Sequence, residues 1–379
     1  MLFSLKNSVK TVIETIENAG GEAFIVGGCV RDILLSRTPE DFDVTTSLLP
    51  EEIITLFPKT VATGLKHGTV TVIIDKENIE VTTYRTDGNY TDSRHPENVN
   101  FVKNISEDLA RRDFTINAMA YNENKGIIDL YKGQDDLNNR ILRTVGDPKK
   151  RFKEDALRIL RLFRFSAQLG FNIEENTLKT ALIMAPLLKN ISRERIAVEL
   201  FKTICSDYPT RINPLLETGA LEFCGLGKGV LNDNICSLPK DRNVRFYKLA
   251  NDLKSNAAEI SEQLKTDKKL STLCKEIDAI INNSPTTRLQ CKLLLKDFSA
   301  EAVKDCLILN GNDETLLNDT LNSGEPFLIS HLNINGEDLL KLGVSGKAIG
   351  ESLNKILTYV IKNPDKNNKE SLIKFISNI

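Results

Sequence analysis

The sequence predicts an α+β protein: an N-terminal α/β head, built on a small mixed β-sheet with helices, followed by an all-helical body. Three observations predict it. Short β-branched and apolar runs occur only in the first 145 residues or so: Ala23–Val26, Thr69–Ile74 and Ile79–Tyr84. From about Asp147 onward the strand pattern stops. Helical periodicity then runs to Ile379.

The elements follow in chain order. Residues 1–21 read as an amphipathic helix, with Leu5, Val9, Val12, Ile13 and Ile16 on one stripe and Gly20-Gly21 closing it. Ala23–Val26 is a strand ended by Gly27-Gly28, and Val30–Leu35 is a helical turn or two. Asp41–Val44 resumes an extended pattern. The runs at 69–74 and 79–84 flank Asp75–Asn78, a hairpin signal. A polar loop follows, from Arg85 to Pro96. Its Gly88 and short polar residues suit a hinged, mobile lever. Asp113–Tyr121 reads as a helix, and so do Arg151–Ala167, Glu174–Met184 and Arg193–Ile204. Four divisions are expected: 1–145, 146–205, 206–285 and 286–379.

Composition excludes several classes. Of 379 residues, 41% are hydrophobic and 27% charged, the balance of an ordinary globular protein. No apolar run reaches membrane-spanning length. The seven Cys are scattered without a C-x-x-C pair, and there are only three His, so a zinc site is not expected. Reduced Cys suits the cytoplasm. The net charge of −2 provides no global basic field, so any RNA contact must come from local patches.

Asp41 and Asp43 carry the first chemical signal. Strand side chains repeat every second residue, so the two carboxylates share a face. Two hard oxygen ligands suit Mg²⁺, which fills its other positions with water and substrate phosphate. Glu80, on the later strand, is a third candidate. A D-x-D pair alone is common and mostly marks a solvated strand end. Here Gly27-Gly28 precedes it, where backbone can approach phosphate, and Arg31 follows the glycines.

These motifs together resemble the class II tRNA nucleotidyltransferase and bacterial poly(A) polymerase superfamily. The matching blocks are Gly27-Gly28-Cys29-Val30-Arg31-Asp32 through Asp41-Phe42-Asp43, Arg111-Arg112-Asp113-Phe114-Thr115-Ile116-Asn117, Asp147 through Glu154-Asp155-Ala156-Leu157-Arg158 to Arg161, and Ser192 through Glu199-Leu200. They cover roughly residues 20–205. From Ile334 onward only a pattern of glycines and apolar positions is similar.

The resemblance implies a Mg²⁺-dependent enzyme that rebuilds the CCA end of tRNA from CTP and ATP. It implies that Asp41 and Asp43 hold metal and act in catalysis, with Glu80 a further catalytic candidate from its strand position. It places the nucleotide on Gly27, Gly28, Arg31, Arg111, Arg112, Asp113, Asn117, Asp155, Arg158 and Arg161, with the ribose on Asp113. It also implies tRNA contacts in the helical tail, no membrane and no obligate protein partner. Asp155 and Arg158 are i and i+3, one face of a helix, and on their own would be an ordinary surface ion pair. Chemistry supports the sharper reading. Cytosine and adenine both place an amino donor beside a ring-nitrogen acceptor, which Asp and Arg complement; uracil and guanine present the inverse. The alternatives are an A-adding or CC-adding enzyme, a poly(A) polymerase, or an inactive RNA-binding relative. Gly64 to Val70 continues without a basic insertion, which favours tRNA.

Overall fold

The computed structural model describes residues 5–87 and 99–377. The chain forms two compact units, residues 1–232 and 233–379.

The first unit opens with α1 (Asn7–Asn18), which buries Val9, Val12, Ile13 and Ile16, the stripe read from the sequence. Strand β1 (Ala23–Val26) follows, buried at every position, then α2 (Gly28–Leu34). Next come β2 (Asp43–Thr46), α3 (Pro50–Leu56), β3 (Thr60–Gly64), β4 (Thr69–Ile74) and β5 (Glu77–Thr83). The hairpin between β4 and β5 turns at Asp75 and Lys76, both with positive φ. A short antiparallel pair, β6 (Arg85–Asp87) and β7 (Val99–Phe101), comes next. Residues 88–96 of the expected lever lie outside the described residues.

After α4 (Ile105–Ala110) the chain makes a single 3₁₀ turn at Thr115–Asn117 and enters β8 (Met119–Asn122) and β9 (Gly126–Asp129). The helix expected over 113–121 is therefore a turn and a strand. Its apolar residues are buried on all sides, so Ile116, Ala118, Met119 and Ala120 carry no periodicity that separates strand from helix.

The sheet order is β3-β4-β5-β2-β1-β8-β9. All its pairs are antiparallel except β2 with β5, which run parallel and set Asp43 opposite Glu80. Phe24, Val26, Tyr84, Leu109 and Ala120 pack into a core cluster beneath it.

Helices then take over: α5 (Gly133–Asn138), α6 (Pro148–Glu154), α7 (Leu157–Leu169), α8 (Glu175–Met184) and α9 (Arg193–Ile204). Between α5 and α9 the only strands are a two-residue pair, Ile141–Leu142 with Asn172–Ile173. The continuous helix expected over 151–167 is broken. Asp155 is extended (φ −140, ψ 106), and its Oδ1 accepts the Leu157 N–H at 3.0 Å. A short acidic side chain that satisfies a backbone donor starts a new helix in place of extending the old one.

The second unit is helical among its described residues, from Arg242–Asp252 to Lys369–Ile376. Its last segment has its own cluster of Ile334, Leu339, Ile356, Val360 and Leu372. No helix among the described residues is long and apolar enough to cross a membrane.

Candidate active site

A cavity of about 830 Å³ in the first unit gathers nine of the residues singled out in the sequence: Gly27, Gly28, Arg31, Asp41, Asp43, Arg112, Asp113, Asn117 and Arg161. They reach it from several elements: the β1–α2 junction, the start of β2, the segment after α4 and α7. Gly27 ends β1 with φ +81, a conformation a side chain resists, and a Cβ there would meet Arg112 Nη1 at 3.0 Å. Asp43 begins β2, with Asp41 on the segment before it.

Asp41 and Asp43 form no ion pair among the described residues, whereas the nearby Asp32 and Asp113 are held by arginines. Water reaches Asp43, yet protein surrounds it closely. Burial, and then the Glu80 and Asp41 charges against the pull of Arg112, push its carboxyl above the usual range. Charge repulsion of this kind is what a divalent cation relieves. Two hard carboxylates at neighbouring positions thus fit a magnesium-like ion. No group of three or more His, Cys, Asp or Glu among the described residues is placed to hold a metal. The expected third ligand, Glu80, does not line the cavity; it sits across the strand pair from Asp43 and acts on it through charge.

The cavity wall carries six cations and six carboxylates, and most of its arginines are held by carboxylates. Arg31, nearly buried, donates through Nε and Nη2 to Asp32 and through Nη1 to Asn117 Oδ1 at 2.8 Å. Arg112 pairs with the buried Asp108 at 3.1 Å. Asp113 is the hub. Its Oδ2 accepts from Arg161 Nε at 2.8 Å and Nη2 at 2.6 Å. Its Oδ1 accepts from the Phe114 N–H at 2.8 Å and Asn117 Nδ2 at 3.3 Å. Burial would raise its carboxyl; Arg161 and Arg158 outweigh it and hold it near 2.

Arg111 is not in the wall. It binds Asp108 at 2.7 Å, and its carbonyl accepts from Arg158. Asp155 and Arg158 do not line the cavity either. They do not share a helix face, because Asp155 lies in the break between α6 and α7. Asp155 Oδ2 accepts from Arg195 Nη2 at 2.9 Å. Arg158 donates to Glu154 Oε2 at 2.6 Å, to the Arg151 carbonyl at 3.2 Å and to the Arg111 carbonyl at 2.9 Å.

Sequence reasoning missed Arg164, Phe165 and Lys202, which also line the cavity. Arg164 is buried and pairs with Glu199 of α9 at 3.0 Å. Burial and the adjacent Arg161 charge lower it to about 10. Phe165 lies under three guanidinium groups, those of Arg31, Arg161 and Arg164, at 5.3, 5.4 and 4.3 Å from its ring centre. The repeated arginine spacing in α7, at 158, 161 and 164, was the signal available; it reads as a helix surface until the cavity is seen to adjoin it.

A mixed sheet that sets a carboxylate pair and an arginine wall around one cavity defines the chain as a nucleotidyltransferase of the polymerase-head class. Residues 23–143 match the model described as "Poly A polymerase head domain", and residues 170–224 the one described as "Probable RNA and SrmB- binding site of polymerase A". The chain is 37% identical to the CCA-adding enzyme of Pediococcus pentosaceus, over 98% of this chain and 97% of that one. It is 34% identical to that of Staphylococcus saprophyticus, over 99% of each. The crystal structure of the Bacillus stearothermophilus CCA-adding enzyme in complex with CTP superposes over 99% of both chains, with a TM-score of 0.84 at 29% identity. The chain belongs to the family of CCA-adding enzymes.

Proposed function

We propose that the chain adds C, C and A in turn to the 3′ end of tRNA from CTP and ATP, without a nucleic-acid template, and that it uses Mg²⁺ at Asp41 and Asp43. The observation that carries this reading is one cavity holding two unpaired carboxylates beside a wall of arginines. Bound there, the cation would lower the pKa of the attacking 3′-hydroxyl and stabilise the departing pyrophosphate. Positioning and charge neutralisation carry such transfers, so no covalent intermediate is required.

The chain's own residues take the remaining roles. Gly27, Gly28, Arg31 and Arg112 receive the triphosphate, with Arg161 and Arg164 adding charge. Asp113 and Asn117 hold the ribose. Asp155 accepts from the exocyclic amino group of C or A, and Arg158 donates to the adjacent ring nitrogen. Each carboxylate oxygen has more than one acceptor site, so Asp155 can keep Arg195 and Leu157 while taking up a base amino group. Glu80 tunes Asp43 through charge, and Arg111 supports Arg158 through its carbonyl.

Residues 1–145 act as the catalytic head, 146–205 as the selecting neck, 206–285 as the body and 286–379 as a tail that grips tRNA. The enzyme works in the cytoplasm. Incubation with tRNA lacking CCA tests the reading. CTP alone should add two residues, ATP alone none, and both together three. A ladder of adenosines from ATP alone would make it a poly(A) polymerase, and a halt after two residues with both nucleotides a CC-adding enzyme.

A further inference from the structure

Six cations line the cavity: Arg31, Arg37, Arg112, Arg161, Arg164 and Lys202. Four are held by carboxylates, namely Asp32, Asp108, Asp113 and Glu199 in the order Arg31, Arg112, Arg161, Arg164. Among the described residues, the side chains of Arg37 and Lys202 form no ion pair and no hydrogen bond. Arg37 lies on the segment that leads to Asp41, at the carboxylate end. Lys202 lies on α9, three residues after Glu199 and so on the same helix face as the carboxylate that holds Arg164.

We infer that Lys202 binds the terminal phosphates of the incoming nucleoside triphosphate and holds the pyrophosphate as it leaves; this rests on the cavity's being the nucleotide site proposed above. The argument is one of charge. Around Phe165 three guanidinium groups crowd together, each matched by its own carboxylate, so the unpaired ammonium of Lys202 is the cation still open to a ligand on that side. The ligand that best answers a free cation is the one with the densest negative charge. A triphosphate tail concentrates several charges within a few ångströms, whereas an RNA strand carries one per nucleotide. Arg31, Arg161 and Arg164 already spend part of their hydrogen-bonding capacity on carboxylates. Lys202 has all three ammonium donors free and is exposed where it lines the cavity, within reach of a ligand entering or leaving it. A flexible ammonium holds phosphate as a point charge and releases it more readily than a bidentate guanidinium.

The experiment compares wild type with Lys202→Met and Lys202→Arg, and with Arg161→Met as a reference, on tRNA lacking CCA. For Lys202→Met, KM for CTP and for ATP should rise by the same factor, about tenfold for loss of one charge-assisted contact. The inhibition constant for added pyrophosphate should rise in parallel, KM for tRNA should hold within twofold, and Lys202→Arg should recover most of the loss. A rise in KM for tRNA alone, with a shallower salt dependence of tRNA binding, would assign the lysine to an RNA phosphate and overturn the inference. Nucleotide KM and pyrophosphate inhibition both within twofold of wild type would overturn it as well. If Arg161→Met also leaves nucleotide KM unchanged, the error lies in the nucleotide site itself; if only Lys202→Met is silent, it lies in Lys202. Lys202 is exposed, so its replacement leaves the core intact, and an unchanged thermal midpoint confirms that kinetics are being compared on folded protein.

Discussion

Arg195 holds Asp155: its Nη2 donates to Asp155 Oδ2 at 2.9 Å, across from the Leu157 N–H on Oδ1. The carboxylate is thus gripped on both oxygens and can present only one orientation to a base. Removing Arg195 frees one of the two while leaving the start of α7 capped. Arg195→Met should therefore remain folded and lose fidelity, with misincorporation of U and G rising about tenfold, the weight of one charge-assisted bond. The check is single-turnover incorporation from each of the four nucleotides; unchanged selectivity would show that Asp155 needs no such grip.

Arg158 is tied more deeply, to Glu154 and to two carbonyls. Arg158→Ala should lower selectivity and stability together. Glu154 keeps Arg151 as a partner at 2.9 Å, so no carboxylate is stranded. The cost is then that of two carbonyls losing donors, about 2 kcal/mol. Denaturant unfolding measures the second effect and nucleotide competition the first. A variant that unfolds more easily yet keeps full selectivity would make Arg158 purely structural.

Asp113 ties pH to stability. Its carboxyl is depressed to about 2 when folded, against 3.8 for a free aspartate. A depressed acid stabilises the fold at pH values above its unfolded pKa. That stabilisation is lost as pH falls through the folded value. Acid destabilisation between about pH 4 and pH 2 should therefore be shallower in Asp113→Asn. At neutral pH this variant should be less stable by about 3 kcal/mol, near the low end for a broken buried pair because a third of the Arg161 side chain stays exposed. Thermal melts from pH 2 to 7 test both statements.

Asp43 has the opposite sign. Its carboxyl is raised in the fold, so its ionisation opposes folding as pH rises through that range and continues to oppose it at neutral pH. Without divalent cation, Asp43→Asn should be as stable as wild type or more so, and inactive in adding either nucleotide. Adding Mg²⁺ should raise the thermal midpoint of wild type and leave that of Asp43→Asn unmoved. Activity of the variant within about tenfold of wild type would remove Asp43 from the metal site.

The sequence by itself determined the division into a strand-bearing head and a helical remainder, because strand and helix periods differ and each persists over many residues. It also determined α8 and α9 nearly to the residue, the β4–β5 hairpin closely, and the buried stripe of α1 though not its bounds. Asp41 and Asp43 were legible as chemistry from their type and spacing, and Asp113 and Arg161 through the resemblance of the blocks that carry them. The tertiary structure decided what depends on burial and on distant partners. Met119 to Asn122 became a strand because β1 was there to pair with it, and full burial erased the alternation that would have announced it. The break at Asp155 comes from a carboxylate that caps Leu157 and meets Arg195, forty residues away. The arginines of α7 divide in the same way. Arg158 turns to the carbonyls of 111 and 151, while Arg161 and Arg164 face the cavity, because Asp113 and Glu199, remote in sequence, hold them there.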